Sequence, residues 1–352
     1  MNLVVAADDR TGAFETAAAI ADRGGGAVRL VAWPTQPTHD TQPAVIDLGS
    51  RHLSADEARG RAASVTDSDI AAHKIDSTLR GNWASELNGR HAATGRPVLL
   101  IPALPVFGRT CVEGIVLEHG RPVHEGNAGA DARRPVTSSR PRDLLQSAGC
   151  REVVELADSN AVGQWLSDPR GFAIADADTD AVIAAIVGRW WQRSDVLLAG
   201  TSAVIGLAAG RSGDGNPCQG RATGPVLVVC GSLHPVARAQ IADARSRGGA
   251  HVFVVSPDHA DTVADHDSVG MAKELALRAS ALLRSGGFGA LVVIGGDTAA
   301  AIVDDADVTV HGSVAPGTAL ATVDGIDVPV ITRAGGFGAR DALTELLWST
   351  LQ

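Results

Sequence analysis

Along this chain, apolar runs of four or five residues break on glycine or a polar pair and then pass into helix-forming sequence. That rhythm predicts repeated βα units and a largely parallel sheet covered on both faces. Leu291–Asp305, LVVIGGDTAAAIVDD, shows it plainly. A strand at Leu291–Ile294 meets Gly295-Gly296 and Asp297-Thr298, and alanines continue as a helix. Two glycines let the backbone approach a ligand, and Thr298 or Asp297 can cap the helix. First-turn N–H groups then offer positive charge to a phosphate. An ordinary βα turn explains the same stretch. A second loop, Gly335-Gly336-Phe337-Gly338, follows the apolar run Val328–Ile331 and offers another backbone cradle to the same ligand. The similar Gly286-Gly287-Phe288-Gly289 follows a helix and is expected to be a helix C-cap.

A chain of 352 residues, 45% hydrophobic, has room for two domains with their own cores. No apolar run reaches membrane length, and Met1–Val4 is expected to open a first core strand, which together predict a cytoplasmic protein. Cys111, Cys150, Cys218 and Cys230 have no CxxC spacing, and HExxH is missing, so no ligand set for a structural metal is legible. A net charge of −10 with six Trp, six Phe and no Tyr argues against a nucleic-acid surface. Any anionic ligand must therefore be met by local positive charge. Among 30 basic residues only Lys74 and Lys273 are lysines, a hint that a compact ammonium is wanted there.

In chain order, the strand Leu3–Ala7 runs into Asp8-Asp9-Arg10-Thr11-Gly12, with a helix expected from about Gly12 to Arg23. A dinucleotide fold would place G-x-G-x-x-G here. Two carboxylates instead suit a polyol, a magnesium ion or proton transfer, while capping by Asp9 or Thr11 would explain one of these residues. Strands are expected at Val28–Ala32 and Ala44–Leu48, then a capping box at Ser54–Glu57. Lys74–Asn82, KIDSTLRGN, is the most chemically mixed loop. Capping explains Ser77 or Thr78 and leaves Lys74, Asp76 and Arg80 for a ligand. Arg109, in a stiff Pro/Gly segment, can grip a carboxylate with two parallel hydrogen bonds or form a surface salt bridge. Residues 117–141 lack periodicity and are expected to be a long excursion, of the kind that forms lids. Alternating units resume up to the helix Thr201–Ala209. The Gly/Pro/Ser-rich stretch that follows sets a linker at 213–224 between domains 1–212 and 225–352. The second domain restarts with the strand Val226–Cys230, enters a helix through Gly231-Ser232, and ends in a helix Ala339–Leu351.

ADDRTGAFETA (7–17), KIDSTLRGN (74–82), PALPVFGRT (102–110), CGSLHPVARAQ (230–240), GGDTA (295–299), VAPGT (314–318) and ITRAGGFG (331–338) together resemble the four-carbon acid sugar kinase family, in family order. The resemblance implies two three-layer α/β/α domains and an interdomain cleft in which phosphoryl transfer occurs. It places sugar-acid contacts on Asp8, Asp9, Lys74, Asp76, Ser77, Thr78, Arg80 and Arg109. ATP contacts fall on Ser232, Gly295, Gly296, Asp297, Thr298, Gly335, Gly336 and Gly338. Arg10, Glu15, Ala237 and Arg333 stand where the family usually has Leu, Asp, Thr and Lys.

The expected activity is an ATP- and Mg2+-dependent kinase acting on a hydroxyl of a four-carbon sugar acid such as threonate, erythronate or 3-oxo-tetronate. Asp9 or Asp76, with Asp8 beside them, would accept the hydroxyl proton. Two other classes stay open: a sugar-acid or nucleotide sensor that keeps the sites without chemistry, and a dehydrogenase, which the missing G-x-G-x-x-G disfavours. Which acid is used, and whether the chain forms a homo-oligomer, the sequence leaves open.

Overall fold

The computed structural model describes residues 3–37, 42–66, 70–131, 134–191, 193–210, 224–247, 252–256 and 268–350. The chain divides into two compact units, residues 1–214 and 215–352. The expected linker, apart from Gly224, lies outside the described residues.

In the first unit the elements run β1 (Leu3–Ala7), α1 (Arg10–Ile20), β2 (Val28–Ala32), β3 (Ala44–Asp47), α2 (Ala55–Ala63), β4 (Ile70–Lys74), α3 (Trp83–Thr94) and β5 (Val98–Ile101). After β5 come β6 (Arg109–Val112), β7 (Ile115–Glu118), β8 (Arg121–Pro122), α4 (Pro141–Ser147), β9 (Val153–Leu156), α5 (Ser159–Trp165), β10 (Phe172–Ala175), α6 (Asp180–Trp190), β11 (Leu197–Gly200) and α7 (Ser202–Ala209). Eight strands pair in the order β2-β3-β1-β4-β11-β5-β10-β9, every pair parallel. All five residues of β1 and of β4 are buried, as expected of strands covered on both faces. α1 and α7 pack on each other and on β1 and β4, close enough that a Cβ at Gly206 would lie 2.9 Å from the Ala19 carbonyl oxygen.

The expected excursion at 117–141 is corrected by the structure. Its start belongs to a separate antiparallel sheet, β6-β7-β8, joined by tight turns with Gly114 and Gly120 at positive φ. Strands of two to four residues are too short to show alternation, so periodicity missed them. α1 also starts two residues earlier than expected, at Arg10, because Asp9 is its N-cap.

The second unit runs β12 (Val226–Cys230), α8 (Pro235–Arg247), β13 (Val252–Val255), α9 (Ser268–Ser285), β14 (Ala290–Ile294), α10 (Gly296–Val303), β15 (Val308–Ala315), β16 (Thr318–Val323), β17 (Ile326–Arg333) and α11 (Ala342–Thr350). Strands β13-β12-β14-β17 are parallel, whereas β15, β16 and β17 form an antiparallel meander. Gly286, at φ 80° just after α9, ends that helix as expected. Among the described residues no helix is long and apolar enough to cross a membrane.

One core residue also shapes the site. Trp83, 1% exposed at the start of α3, donates its indole N–H to the carbonyl of Leu79 at 3.1 Å, and Leu79 sits at φ 67°. The bond holds a conformation that a branched side chain rarely adopts. Trp83→Ala is expected to cost about 3–5 kcal/mol of stability. Trp83→Phe, which keeps most of the packing and loses the hydrogen bond, should cost about 1 kcal/mol for that bond. Urea unfolding of both variants measures the difference.

Candidate active site

In open parallel sheets, loops at the carboxyl ends of the strands gather where strand order reverses. Here Ala7, Asp47, Lys74 and Gly200 end β1, β3, β4 and β11 at one level of the sheet. The loops beyond them carry Asp8-Asp9, Gly49–Arg51 and Ile75–Arg80. Asp8 is fully buried, and Asp9 caps α1 by accepting the Gly12 N–H at 3.0 Å. Capping is thus real, but Asp9 does more.

Arg51 joins the loops. Its Nε donates to Asp8 Oδ2 at 2.7 Å, and Nη1 and Nη2 donate to the two Asp9 oxygens at 2.8 Å each. Nη2 also lies 3.3 Å from Asp76 Oδ1. Lys74 Nζ stands 3.5 Å from Asp8 Oδ1 and 3.8 Å from Asp9 Oδ1, and fills the space a Cβ would need at Gly12. Sequence reasoning missed Arg51. Its one signal was position: a polar loop directly after an apolar strand.

Asp76 is held on both oxygens. Oδ2 accepts from the Thr78 N–H and hydroxyl at 3.1 and 2.6 Å and from Arg80 Nε at 3.1 Å, while Oδ1 accepts from Arg80 Nη2 at 2.9 Å. Arg109 donates through Nη1 to the Ser77 hydroxyl at 2.5 Å and through Nε and Nη2 to Glu118 Oε1 at 2.9 and 2.8 Å. Glu118 on β7 is a second partner the sequence did not reveal. Six of the eight residues proposed for the sugar acid, Asp8, Asp9, Lys74, Asp76, Thr78 and Arg80, thus share one polar network around Arg51, while Ser77 and Arg109 form a second group with Glu118. A cavity of about 250 Å³ borders it, lined by Arg80, Asn82, Ser85 and Arg134 among others.

The Arg51 loop is fixed from behind. Asn82 donates to the carbonyls of Ser50 and Leu53 at 2.8 and 2.9 Å. Ser50 donates its hydroxyl to Glu86 at 2.6 Å, and Glu86 pairs with His73 at 3.0 Å, all three buried. Arg10 donates to Asp47 at 2.7 Å, whose other oxygen accepts the Gly49 N–H at 2.9 Å.

Burial alone would raise the Asp8 and Asp76 carboxyls. Arg51 and Lys74 outweigh it at Asp8 and hold its pKa below the usual value, and Arg80 and Arg51 hold Asp76 well below. Burial works against Lys74 too, but Asp8 and Asp9 raise its pKa. Glu15 goes the other way: burial raises its carboxyl above the ordinary 4.5 despite Lys74 and a 2.8 Å hydrogen bond from Ser202. A carboxyl raised on folding contributes stability below its unfolded pKa and loses it as pH rises through the folded value. Glu15→Gln can still accept from Ser202 and carries no charge. Its melting temperature is expected to match the wild type near about pH 4 and to exceed it increasingly toward about pH 8; a pH series of thermal melts measures this.

In the second unit, Ser232, Gly295 and Gly335 meet where β12, β14 and β17 end. Gly295, at φ 111°, comes so close to Ser232 that a Cβ would lie 3.3 Å from the Ser232 nitrogen, and a Cβ at Gly335 would collide with the Ser232 hydroxyl. The capping expectation for α10 is corrected: Gly295 is the N-cap, with no side-chain cap bond, and Thr298 is buried against Gly231. Gly296 and Asp297 open the helix. Gly336 and Gly338 flank Phe337, whose carbonyl accepts from Gln240 Nε2 at 2.9 Å and Arg333 Nη2 at 2.5 Å. Arg333 is 5% exposed, its Nε has no partner, and among the described residues it makes no ion pair.

Known proteins resemble this chain along its length. A D-threonate kinase of Bordetella bronchiseptica is 29% identical over 96% of this chain and 95% of its own. A D-threonate kinase of Salmonella typhimurium is 26% identical over 99% of this chain and 98% of its own. These relatives bear out the resemblance to the acid sugar kinases. A crystal structure of a protein from Salmonella typhimurium LT2 superposes with a TM-score of 0.80 at 17% identity, covering 99% of this chain and 98% of that one, which supports the fold. A family model described as a sugar-binding N-terminal domain matches residues 3–207, and the chain belongs to that family.

Proposed function

We propose that the chain is an ATP-dependent kinase that phosphorylates a hydroxyl of a small, four-carbon sugar acid such as threonate, erythronate or 3-oxo-tetronate, in the cytoplasm. The carrying observation is the cluster around Arg51, three carboxylates and three cations at the carboxyl end of a parallel sheet, in a chain similar throughout to D-threonate kinases. Such a cluster presents fixed donors and acceptors to a polyol. Arg80, 36% exposed beside the cavity, is the cation best placed to receive the substrate carboxylate.

Asp9 is the proton acceptor in this reading. Asp9 and Asp76 both accept hydrogen bonds on both oxygens, but Asp76 is the poorer base because Arg80 and Arg51 hold its pKa far down. Asp8 is fully buried, whereas the Asp9 side chain keeps 16% exposure. Lys74 and Arg51 place the two adjacent carboxylates and offset charge that develops during transfer. ATP would be held by Ser232, Gly295, Gly296, Asp297, Thr298, Gly335, Gly336 and Gly338, and supplies the phosphoryl group when bound. Mg2+ would be carried on the nucleotide's phosphates, where phosphoryl transfer needs it.

Substrate-dependent ADP release, measured with Mg2+–ATP against stereoisomers of threonate, erythronate and 3-oxo-tetronate, tests the function. Release with one acid identifies the substrate, and silence across the panel sinks the proposal. Asp9→Asn is expected to lower kcat by about 10²–10⁴-fold and leave calorimetric ATP affinity unchanged. Arg51→Lys cannot span three carboxylates with one ammonium and should cost about 10²-fold in kcat/KM through misplacement.

A further inference from the structure

Arg333 closes β17 directly before the Gly335–Gly338 loop, buried and without a carboxylate partner among the described residues. Removing a charge from water without compensation costs several kcal/mol. Burial accordingly lowers the Arg333 pKa, although Arg keeps its proton. A fold that retains such a cation gains most where an anion arrives.

The loop beside it has the matching shape. Arg333 and Gln240 both donate to the Phe337 carbonyl, turning it toward them. In a trans peptide C=O and N–H point opposite ways, so the Gly338 N–H is turned away from Arg333 and Gln240. Gly338 adopts φ 85°, and a Cβ there would stand 3.1 Å from Arg333 Nη2 and closer still to Ala342. Gln240 also donates to the Ala339 carbonyl at 2.7 Å, fixing the far end of the loop. The result is a backbone donor on the opposite side of the peptide from a buried positive charge.

We propose that Arg333 is the counter-charge for the nucleotide's phosphates, acting beneath the Gly335–Gly338 loop that Gln240 holds in register. This rests on the nucleotide-binding part of the kinase reading, and it assigns the phosphate end of the nucleotide, and not the adenosine end, to this loop.

The test compares wild type with Arg333→Gln, which can still donate to the Phe337 carbonyl and has no charge, and Arg333→Lys, which keeps the charge and loses the fork. Calorimetry is run with Mg2+–ATP, Mg2+–ADP, adenosine and inorganic tripolyphosphate. Arg333→Gln is expected to weaken ATP, ADP and tripolyphosphate by about 10–100-fold while leaving adenosine affinity unchanged and raising the unliganded melting temperature, since the uncompensated buried charge is gone. Arg333→Lys should keep most of the phosphate affinity. Equal weakening of adenosine and ATP, or a large loss of unliganded stability in both variants, would mean a structural role and overturn the inference. Wild-type affinity for ATP in Arg333→Gln would overturn it too and leave the kinase reading standing. A wild type that binds tripolyphosphate but neither ATP nor ADP would overturn the nucleotide reading instead.

Discussion

The candidate site in the first unit depends on one guanidinium shared among three carboxylates. Asp8, Asp9 and Asp76 stand on two loops that the parallel sheet brings together, and each contacts Arg51. Two like charges at about 4 Å repel by about 4 kcal/mol where the effective dielectric is near 20. Three ionised acids could not be gathered there unaided. Arg51, Lys74 and Arg80 reverse the balance, so that Asp8 and Asp76 are more acidic than free aspartates even though burial opposes it.

That arrangement demands a guanidinium held in one place, and the surrounding structure supplies the restraint. Backbone N–H groups of Ser50 and Arg51 both donate to the Asp8 carbonyl, at 2.9 and 3.2 Å, so the two loops are tied at the main chain as well as through charge. Asn82, the Ser50–Glu86–His73 chain and the Arg10–Asp47 pair add anchors from α3, β4 and α1. Burying an ion pair is seldom a gain in stability over apolar packing. The value here is position: each buried polar contact removes a way for the Arg51 loop to move.

Much of this was legible in the sequence because parallel strands buried on both faces must be apolar throughout. LVVAA, VLVVC and ALVVI declare themselves, and the polar residues that follow such runs are the natural site candidates. Asp8, Lys74 and Asp76 were found this way. Arg51 was not, since it lies between a strand and a capping box and its three partners are 42, 43 and 25 residues away. Nothing local marks a residue whose role is set by long-range contacts. The β6–β8 hairpins were missed for a different reason, their strands being too short to alternate visibly. At α10 a glycine with φ 111° took the capping position because Ser232 presses on it, a tertiary constraint that outweighs the usual side-chain preference.

The two units handle charge in opposite ways, and that contrast bears on what each can bind. Around Arg51 the acids and bases are paired, so the local field is close to neutral, and what such a cluster can offer a ligand is fixed donors and acceptors of the kind hydroxyl groups need. Beneath the Gly335–Gly338 loop Arg333 has no acidic partner among the described residues, a charge that favours an anion whatever its detailed shape. A chain with net charge −10 repels anions at long range, but that repulsion is screened beyond about 8 Å at physiological salt. Local charge then decides. A neutral, finely constrained cluster suits the partner whose stereochemistry must be distinguished, and an uncompensated cation under a glycine loop suits phosphates, which differ little from one another except in number.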